Sequence, residues 1–365
     1  MLLKYIVSFV VGVSLLTACA SQDGSDVVVR ESPSNCAPFE NTQPICGFHN
    51  PEDMAVLPGQ RTLLVSEYGD SHGRKAGALS LLKLDSVERV ELFRGGDAVL
   101  PAEQWGAENC TEPPGPAFSP HGIDLVRRMD GRLQLVVIQH GGRESIELFE
   151  VEGDATDWRV SWRGCVMAPS NAQLNSVAAT STGDLYVTKM VSMNESLEAL
   201  SGIPEQGTGE VYHWSAANGY RIVPGTAGVM PNGIALDEAA GTLFVNYSGS
   251  GLVKKVALHN GEVLAEVQVS SPDNIKWSAD RRSLLVASLR APLGDIDSFR
   301  ICMEGEPEYC PIPFAIVELD PQTFDSSTLF ENSDAPMGGG TVGMKLNNRL
   351  YIGSFAGNRI LRVDL

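Results

Sequence analysis

Gly241-Thr-Leu-Phe-Val-Asn246 is a six-residue unit of turn residue, leucine and β-branched or aromatic side chains, and variants of it occur six times along the chain. The other copies are Arg61-Thr-Leu-Leu-Val-Ser66, Leu133-Gln-Leu-Val-Val-Ile138, Gly183-Asp-Leu-Tyr-Val-Thr188, Arg282-Ser-Leu-Leu-Val-Ala287 and Asn348-Arg-Leu-Tyr-Ile-Gly353. Short apolar runs of this kind, bounded by Gly, Asn, Asp and Pro, read as strands. Their starts lie 41 to 72 residues apart, which is room for a four-stranded sheet with loops of varying length. Second strands follow several of them, as in Gly209-Glu-Val-Tyr-His-Trp214 and Arg359-Ile-Leu-Arg-Val363. Six such sheets predict an all-β chain folded as a six-bladed β-propeller over residues 48–365, with its blades around a central channel. The 365 residues alone would suggest two or three domains, and the repeat replaces that expectation with one closed ring. The nearest approach to a helical period is Val191 to Leu200, read as a short surface helix.

Composition agrees with a turn-rich globular protein: 43% hydrophobic and 20% charged residues, with Gly 37 and Pro 21. The chain carries 45 acidic against 27 basic side chains, a formal charge of -18, and no basic block. That balance excludes a phosphate-tracking nucleic-acid surface and suits cations.

The N-terminus carries an address. A short leader, Met1-Leu-Leu-Lys4, is followed by an apolar run from Tyr5 to Leu16, too short to span a bilayer comfortably. It ends in Leu16-Thr-Ala-Cys19, which resembles the lipobox of bacterial lipoproteins. The expectation is a signal peptide over residues 1–18, a lipid anchor at Cys19, and a flexible tether within 19–47. Ala20 follows the Cys, and by the lipoprotein sorting rule the absence of Asp there implies outer-membrane retention. An ordinary secretory signal would lead to the same side of the inner membrane. Six further cysteines in an oxidising compartment favour disulfides. The short-range pairs Cys36 with Cys46 and Cys302 with Cys310 are the expected ones among 15 possible connectivities. No CxxC occurs, so a zinc or thioredoxin-type site has little support.

The turns that open the repeats are unusual. They read Pro51-Glu-Asp-Met-Ala55, Pro120-His-Gly-Ile123, Leu174-Asn-Ser-Val177, Pro231-Asn-Gly-Ile234 and Pro272-Asp-Asn-Ile275. A propeller gathers the loops at one end of its channel, so these five turns would deliver Glu52, Asp53, Asn175, Asn232, Asp273 and Asn274 to one place. All six side chains offer oxygen. Carboxylate and amide oxygens without cysteine form a hard site of the kind that takes Ca²⁺ with about six to eight ligands. Taken singly, an Asn-Gly or Asp-Asn turn is equally read as turn chemistry. His121 and His140 stand out among the histidines, each also open to a structural reading. His49, His72, His213 and His259 have no partner motif. Met190, Met193, Tyr247, Trp277 and Phe355 are read either as lining a substrate mouth or as packing.

Over about residues 48 to 365 the sequence resembles the paraoxonase/arylesterase family of calcium-dependent lactonases. The resemblance rests on those turns, in order and spacing, with Leu135-Val-Val-Ile-Gln-His140, Glu144-Ser-Ile-Glu-Leu-Phe149 and Gly339-Gly-Thr-Val342. It implies that Glu52, Asn175, Asn232, Asp273 and Asn274 hold a catalytic calcium, and that His121 is the catalytic histidine and His140 its second. It further implies that Asp53 and the carbonyl of Ile123 would hold a structural calcium. Ser176 stands where that second ion would find an Asp. The disulfide that ties the family's termini together also has no counterpart, since the chain ends Arg362-Val-Asp-Leu365.

The expected activity is calcium-dependent hydrolysis of a lactone or aryl ester. The ion would polarise the carbonyl while His121, with a reference pKa of about 6.5, takes a proton from water and His140 supports it. No GxSxG elbow is present, which leaves a serine-hydrolase route without support. Two other readings stand beside this one. One is a sugar-lactone hydrolase like the gluconolactonase and strictosidine-synthase-like propellers. The other is a noncatalytic propeller whose calcium only stiffens a binding surface.

Overall fold

The computed structural model describes residues 36–70, 75–96, 100–155, 157–193, 207–291, 299–302, 310–332 and 336–365. Six antiparallel sheets follow one another around a ring, and almost all regular structure is β. Their innermost strands are Pro51–Val56, Pro120–Arg127, Ala172–Ala179, Pro231–Asp237, Pro272–Trp277 and Gly340–Leu346. Five sheets run outward in chain order, and the second of these adds the two-residue strand Trp105–Gly106, paired in parallel, at its outer edge.

All six copies of the repeated unit fall on the second strand of a blade: Thr62–Glu67, Leu133–Gln139, Leu185–Ser192, Thr242–Tyr247, Leu284–Leu289 and Arg349–Ser354. The reason they share a pattern is burial. A second strand lies between neighbouring blades on both faces, so Thr242–Tyr247 and Leu284–Leu289 are buried at every residue. Such strands read as continuous apolar runs rather than alternations. Outer strands such as Val263–Gln268 are largely exposed, and there Glu266 and Gln268 break the apolar run.

The core is divided accordingly into six wedges, one between each pair of adjacent blades. Leu64, Phe93, Leu135 and Phe149 join the first and second blades, and Ala235, Phe244, Val286 and Leu319 join the fourth and fifth. In the latter wedge Phe244 meets Trp277 edge-on, with ring centroids 5.6 Å apart, a favourable aromatic geometry. Ile45, Met54, Val65, Val342 and Tyr351 fill the wedge between the sixth blade and the first. The ring therefore has no open seam.

Closure corrects one sequence expectation. The outer strand of the last blade is Thr42–Cys46, a stretch assigned above to the tether, so the propeller begins before residue 48. It pairs antiparallel with Arg359–Asp364, Thr42 opposite Val363 and Cys46 opposite Arg359. Backbone hydrogen bonds thus join the two ends of the ring, where the resembling family uses a disulfide. Five residues containing a proline gave too short a run to be read as a strand.

Both expected disulfides, Cys36–Cys46 and Cys302–Cys310, are formed, and the remaining pair is Cys110–Cys165. Of the expected helix at Val191–Leu200, residues Val191 and Ser192 end a strand instead, and 194–200 lie outside the described residues. Among the described residues no helix is long and apolar enough to cross a membrane.

Leu361 is fully buried opposite Pro44, in the wedge between the fifth and sixth blades. Leu361→Ala is expected to cost about 2–5 kcal/mol. The check is denaturant unfolding, where the midpoint should fall with the slope unchanged.

Candidate active site

Each inner strand loses register with its neighbour within its first residues. Pro120 pairs with Gln139 and Ile123 with Val137, so His121 and Gly122 stand against Ile138 alone. The same two-against-one arrangement holds Asn175 and Ser176, Asn232 and Gly233, and Asp273 and Asn274. In the first and sixth blades the extra residues are Glu52 and Thr341. These are β-bulges, which interrupt the alternation of faces and turn side chains that would point into the sheet toward the channel. Asn50, Met230 and Ser271, each just before the Pro that opens an inner strand, take positive φ, a conformation unusual for residues other than glycine.

Two glycines let the bulges converge. A Cβ on Gly122 would stand 2.5 Å from the Asn175 carbonyl oxygen, and one on Gly233 would stand 2.4 Å from that of Asp273. No side chain fits where neighbouring inner strands come so close.

The result is a ring of contacts at one end of the channel. Asn274 Nδ2 donates to Glu52 Oε1 at 2.7 Å, and Thr341 Oγ1 donates to the Glu52 carbonyl at 2.8 Å. Thr188 Oγ1 donates to the Asn232 carbonyl at 2.7 Å. Asn246 Nδ2 donates to the Asp273 carbonyl, and Met190 Sδ lies 3.5 Å from Asn175 Nδ2. The structure thus brings Glu52, His121, Asn175, Asn232, Asp273 and Asn274 together.

Among the described residues, four buried oxygens in this ring have no hydrogen-bond partner: Glu52 Oε2, Asn232 Oδ1, Asn246 Oδ1 and Asn274 Oδ1. Burying an acceptor without a partner is costly, and a carboxylate oxygen costs most. Burial first, and then the charge of Glu52, pushes the Asp273 carboxyl well above the ordinary carboxylate range. Burial pulls the His121 imidazole down, but the facing charges of Glu52, Asp273 and Asp53 and a hydrogen bond with Glu52 outweigh it, and the net shift is upward. Among the described residues no three His, Cys, Asp or Glu side chains cluster to hold a metal, because this ring is mostly amide. Its oxygens fit a hard dication and do not suit a thiolate- or imidazole-seeking metal.

Beside the ring stands a linear chain of three side chains. His121 Nε2 faces Glu52 Oε1 at 3.5 Å, and His121 Nδ1 lies 2.9 Å from His140 Nε2. His140 Nδ1 lies 2.8 Å from Glu144 Oε2, and the other Glu144 oxygen accepts from the Leu174 amide at 2.7 Å. Tyr68 stacks on His121, with centroids 4.7 Å apart, and meets His140 edge-on.

The sequence did not mark Glu144, Tyr68 or Lys276 for this site. Glu144 follows His140 by four residues across the turn Gly141-Gly142, and that spacing was the available signal. Lys276 Nζ lies 2.7 Å from Asp53 Oδ2 and also donates to the Ile123 carbonyl. Asp53 and Ile123 thus sit together, beside the ring and engaged by an ammonium.

The remaining candidates lie elsewhere. Tyr247 is fully buried and its hydroxyl donates to the Thr226 carbonyl at 3.0 Å. Trp277 helps line a cavity of about 360 Å³ further along the channel, with Ile123, Leu125, Lys276 and Arg281. Phe355 packs beside Phe299, and Met193 is exposed. His213 binds Asp184 at 2.9 Å and stacks on Tyr186, a structural role. His72 lies outside the described residues.

Bulges thus bring buried oxygens and a pair of histidines together at the mouth of a six-bladed β-propeller. The chain belongs to the arylesterase family, whose profile matches residues 108–360, about two thirds of its length. No curated protein sequence matches. Among solved structures, the chain is 14% identical to a gluconolactonase from Xanthomonas campestris, with a TM-score of 0.49 and 89% of each chain covered. It is 11% identical to a luciferin-regenerating enzyme, also at a TM-score of 0.49, over 88% of this chain and 92% of that one. Likenesses of this depth carry no functional argument.

Gly233→Ala drives a methyl group into the Asp273 carbonyl. It is expected to cost about 1–3 kcal/mol, seen as a lowered melting temperature, and an unchanged melting curve would contradict the close approach.

Proposed function

We propose that the chain is a calcium-dependent hydrolase of lactones and aryl esters, working at the mouth defined by Glu52, Asn175, Asn232, Asp273 and Asn274. The observation that carries this reading is the set of unpartnered buried oxygens on Glu52, Asn232 and Asn274. A dication held by these five side chains answers their unmet hydrogen bonding and the mutual repulsion of Glu52 and Asp273 together. When bound there, calcium supplies Lewis-acid polarisation of a substrate carbonyl and stabilises the oxyanion formed as water adds.

The chain's own groups handle the proton. With Glu144 accepting from His140 Nδ1–H, His140 Nε2 is left as the acceptor. His121 then donates from Nδ1 to His140, and once a dication takes up the Glu52 charge its Nε2, which faces Glu52 at 3.5 Å, is free to carry a lone pair. That nitrogen takes a proton from the attacking water and returns it to the leaving alkoxide or phenolate oxygen. Glu144 is a positioning residue, fixing tautomers two side chains away from the water. Tyr68 packs on the His121 ring and restrains its rotation.

The side chains bordering His121 and Asn175 are the Tyr68 ring and the Met190 thioether. An aromatic and a polarisable apolar surface suits an aryl or acyl group better than a polyhydroxylated sugar lactone.

On a panel of aliphatic lactones, sugar lactones and aryl esters, the expected result is turnover that chelator abolishes and calcium restores. His121→Gln should lower kcat by about 10²–10⁴-fold with calcium binding kept. Calcium binding without turnover of any panel member would assign the chain to noncatalytic binding instead.

We also propose that the chain is exported and held at the bacterial outer membrane through a lipid on Cys19. Its three disulfides suit an oxidising compartment. Cys19→Ser is expected to move the protein from the membrane pellet to the soluble fraction of cells, and retention in the pellet would sink this placement.

A further inference from the structure

Lys276 stands two residues after Asn274 on the inner strand of the fifth blade, in a position where a channel side chain would be expected to be neutral. Its side chain is 12% exposed, and the carboxylate it meets, Asp53, is wholly buried. Asp53 is fully engaged: Oδ1 accepts from the Met54 amide at 2.8 Å, while Oδ2 accepts from the Ile123 amide at 2.7 Å and from Lys276. The same ammonium donates to the Ile123 carbonyl. One side chain from the fifth blade therefore bridges the first and second blades across the channel.

Asp53 Oδ2 and the Ile123 carbonyl oxygen are the two atoms through which a second cation would have to be held here. Calcium takes oxygens at about 2.3–2.6 Å, and an ammonium hydrogen-bonded to those same two oxygens occupies that volume and repels a dication. The third blade adds no charge, since Ser176 presents a buried amide to Thr188 Oγ1 at 3.0 Å and no carboxylate. A second calcium therefore does not fit this site.

We propose that Lys276 is a built-in replacement for a second cation: its ammonium supplies the positive charge that holds Asp53 and Ile123 together, and the chain takes one divalent ion, not two. The inference rests on the calcium reading above only for the first ion. A covalently attached charge cannot dissociate, so this part of the channel keeps its structure when calcium is removed.

The test is calcium stoichiometry by equilibrium dialysis, with melting temperatures in calcium and in chelator, on the whole chain. Wild type is expected to bind one calcium per chain, and two would overturn the proposal. Lys276→Met strands the Asp53 carboxylate and is expected to lower the melting temperature by about 5 °C or more in chelator. Lys276→Arg keeps the charge and should recover most of that loss. Equal melting of Lys276→Met and wild type in chelator, or failure of Lys276→Arg to recover, would overturn it. The double variant Ser176→Asp/Lys276→Ser restores a carboxylate and removes the ammonium, and should raise the stoichiometry to two; a folded double variant still at one would overturn it. Zero calcium in every arm would remove the metal reading of the preceding section, while the melting temperatures in chelator would still decide the role of Lys276.

Discussion

Two residues standing against one, at the head of an inner strand, is the constraint on which the rest of this molecule depends. A regular antiparallel pair would send Asp273 and Asn274 to opposite faces, one into a neighbouring blade. The bulge frees both from the ladder. Repeated around the ring, it assembles one polar mouth from residues up to 289 positions apart, as in the Thr341 to Glu52 bond. The cost of the arrangement is visible beside it. Asn50, Met230 and Ser271 take left-handed backbone, and Gly122 and Gly233 leave no room for a side chain.

Electrostatics give that geometry its meaning. Glu52, Asp53 and Asp273 are drawn into a space where water is scarce; burial first, and then the charge of Glu52, raises the proton affinity of Asp53 and Asp273, while Lys276 pulls that of Asp53 back down. The chain answers in two different ways. Asp53 receives the ammonium of Lys276, and Ile123 shares it. Among the described residues Glu52 and Asp273 meet no lysine or arginine, only amide hydrogen bonds and the imidazole of His121, whose proton affinity their charges raise. One carboxylate is compensated by a lysine, and under the function proposed above the other two would face a bound cation.

The parts of this design that were legible in the sequence are those fixed by local physics. The second strands could be read because burial on both faces demands apolar residues at every position, whichever blade they belong to. The channel residues could be read because a turn, a polar residue and an apolar run recur in that order. Thr42–Cys46 was missed because its partner lies more than 300 residues away, and nothing within five residues records that pairing. Lys276 was missed for a related reason: beside Trp277 on a strand it looks like a solvated lysine, and only the ring brings Asp53 to its ammonium. The partners of Cys110 and Cys165, 55 residues apart, likewise needed the fold to be known.

The strand Thr42–Cys46 has a consequence for the order in which the molecule is made. Among the described strands it comes first in the chain, and its ladder partner there, Arg359–Asp364, comes after all the others. Five blades can form from neighbouring segments as they appear, whereas the sixth waits for the final residues. Ring closure is then a single long-range event at the end of folding, with the loop entropy of nearly the whole chain set against it. Until it happens, the wedge residues Ile45, Met54 and Val342 face water. Closure by this one pair of strands, rather than the formation of any single blade, is therefore the step that shields the last apolar seam.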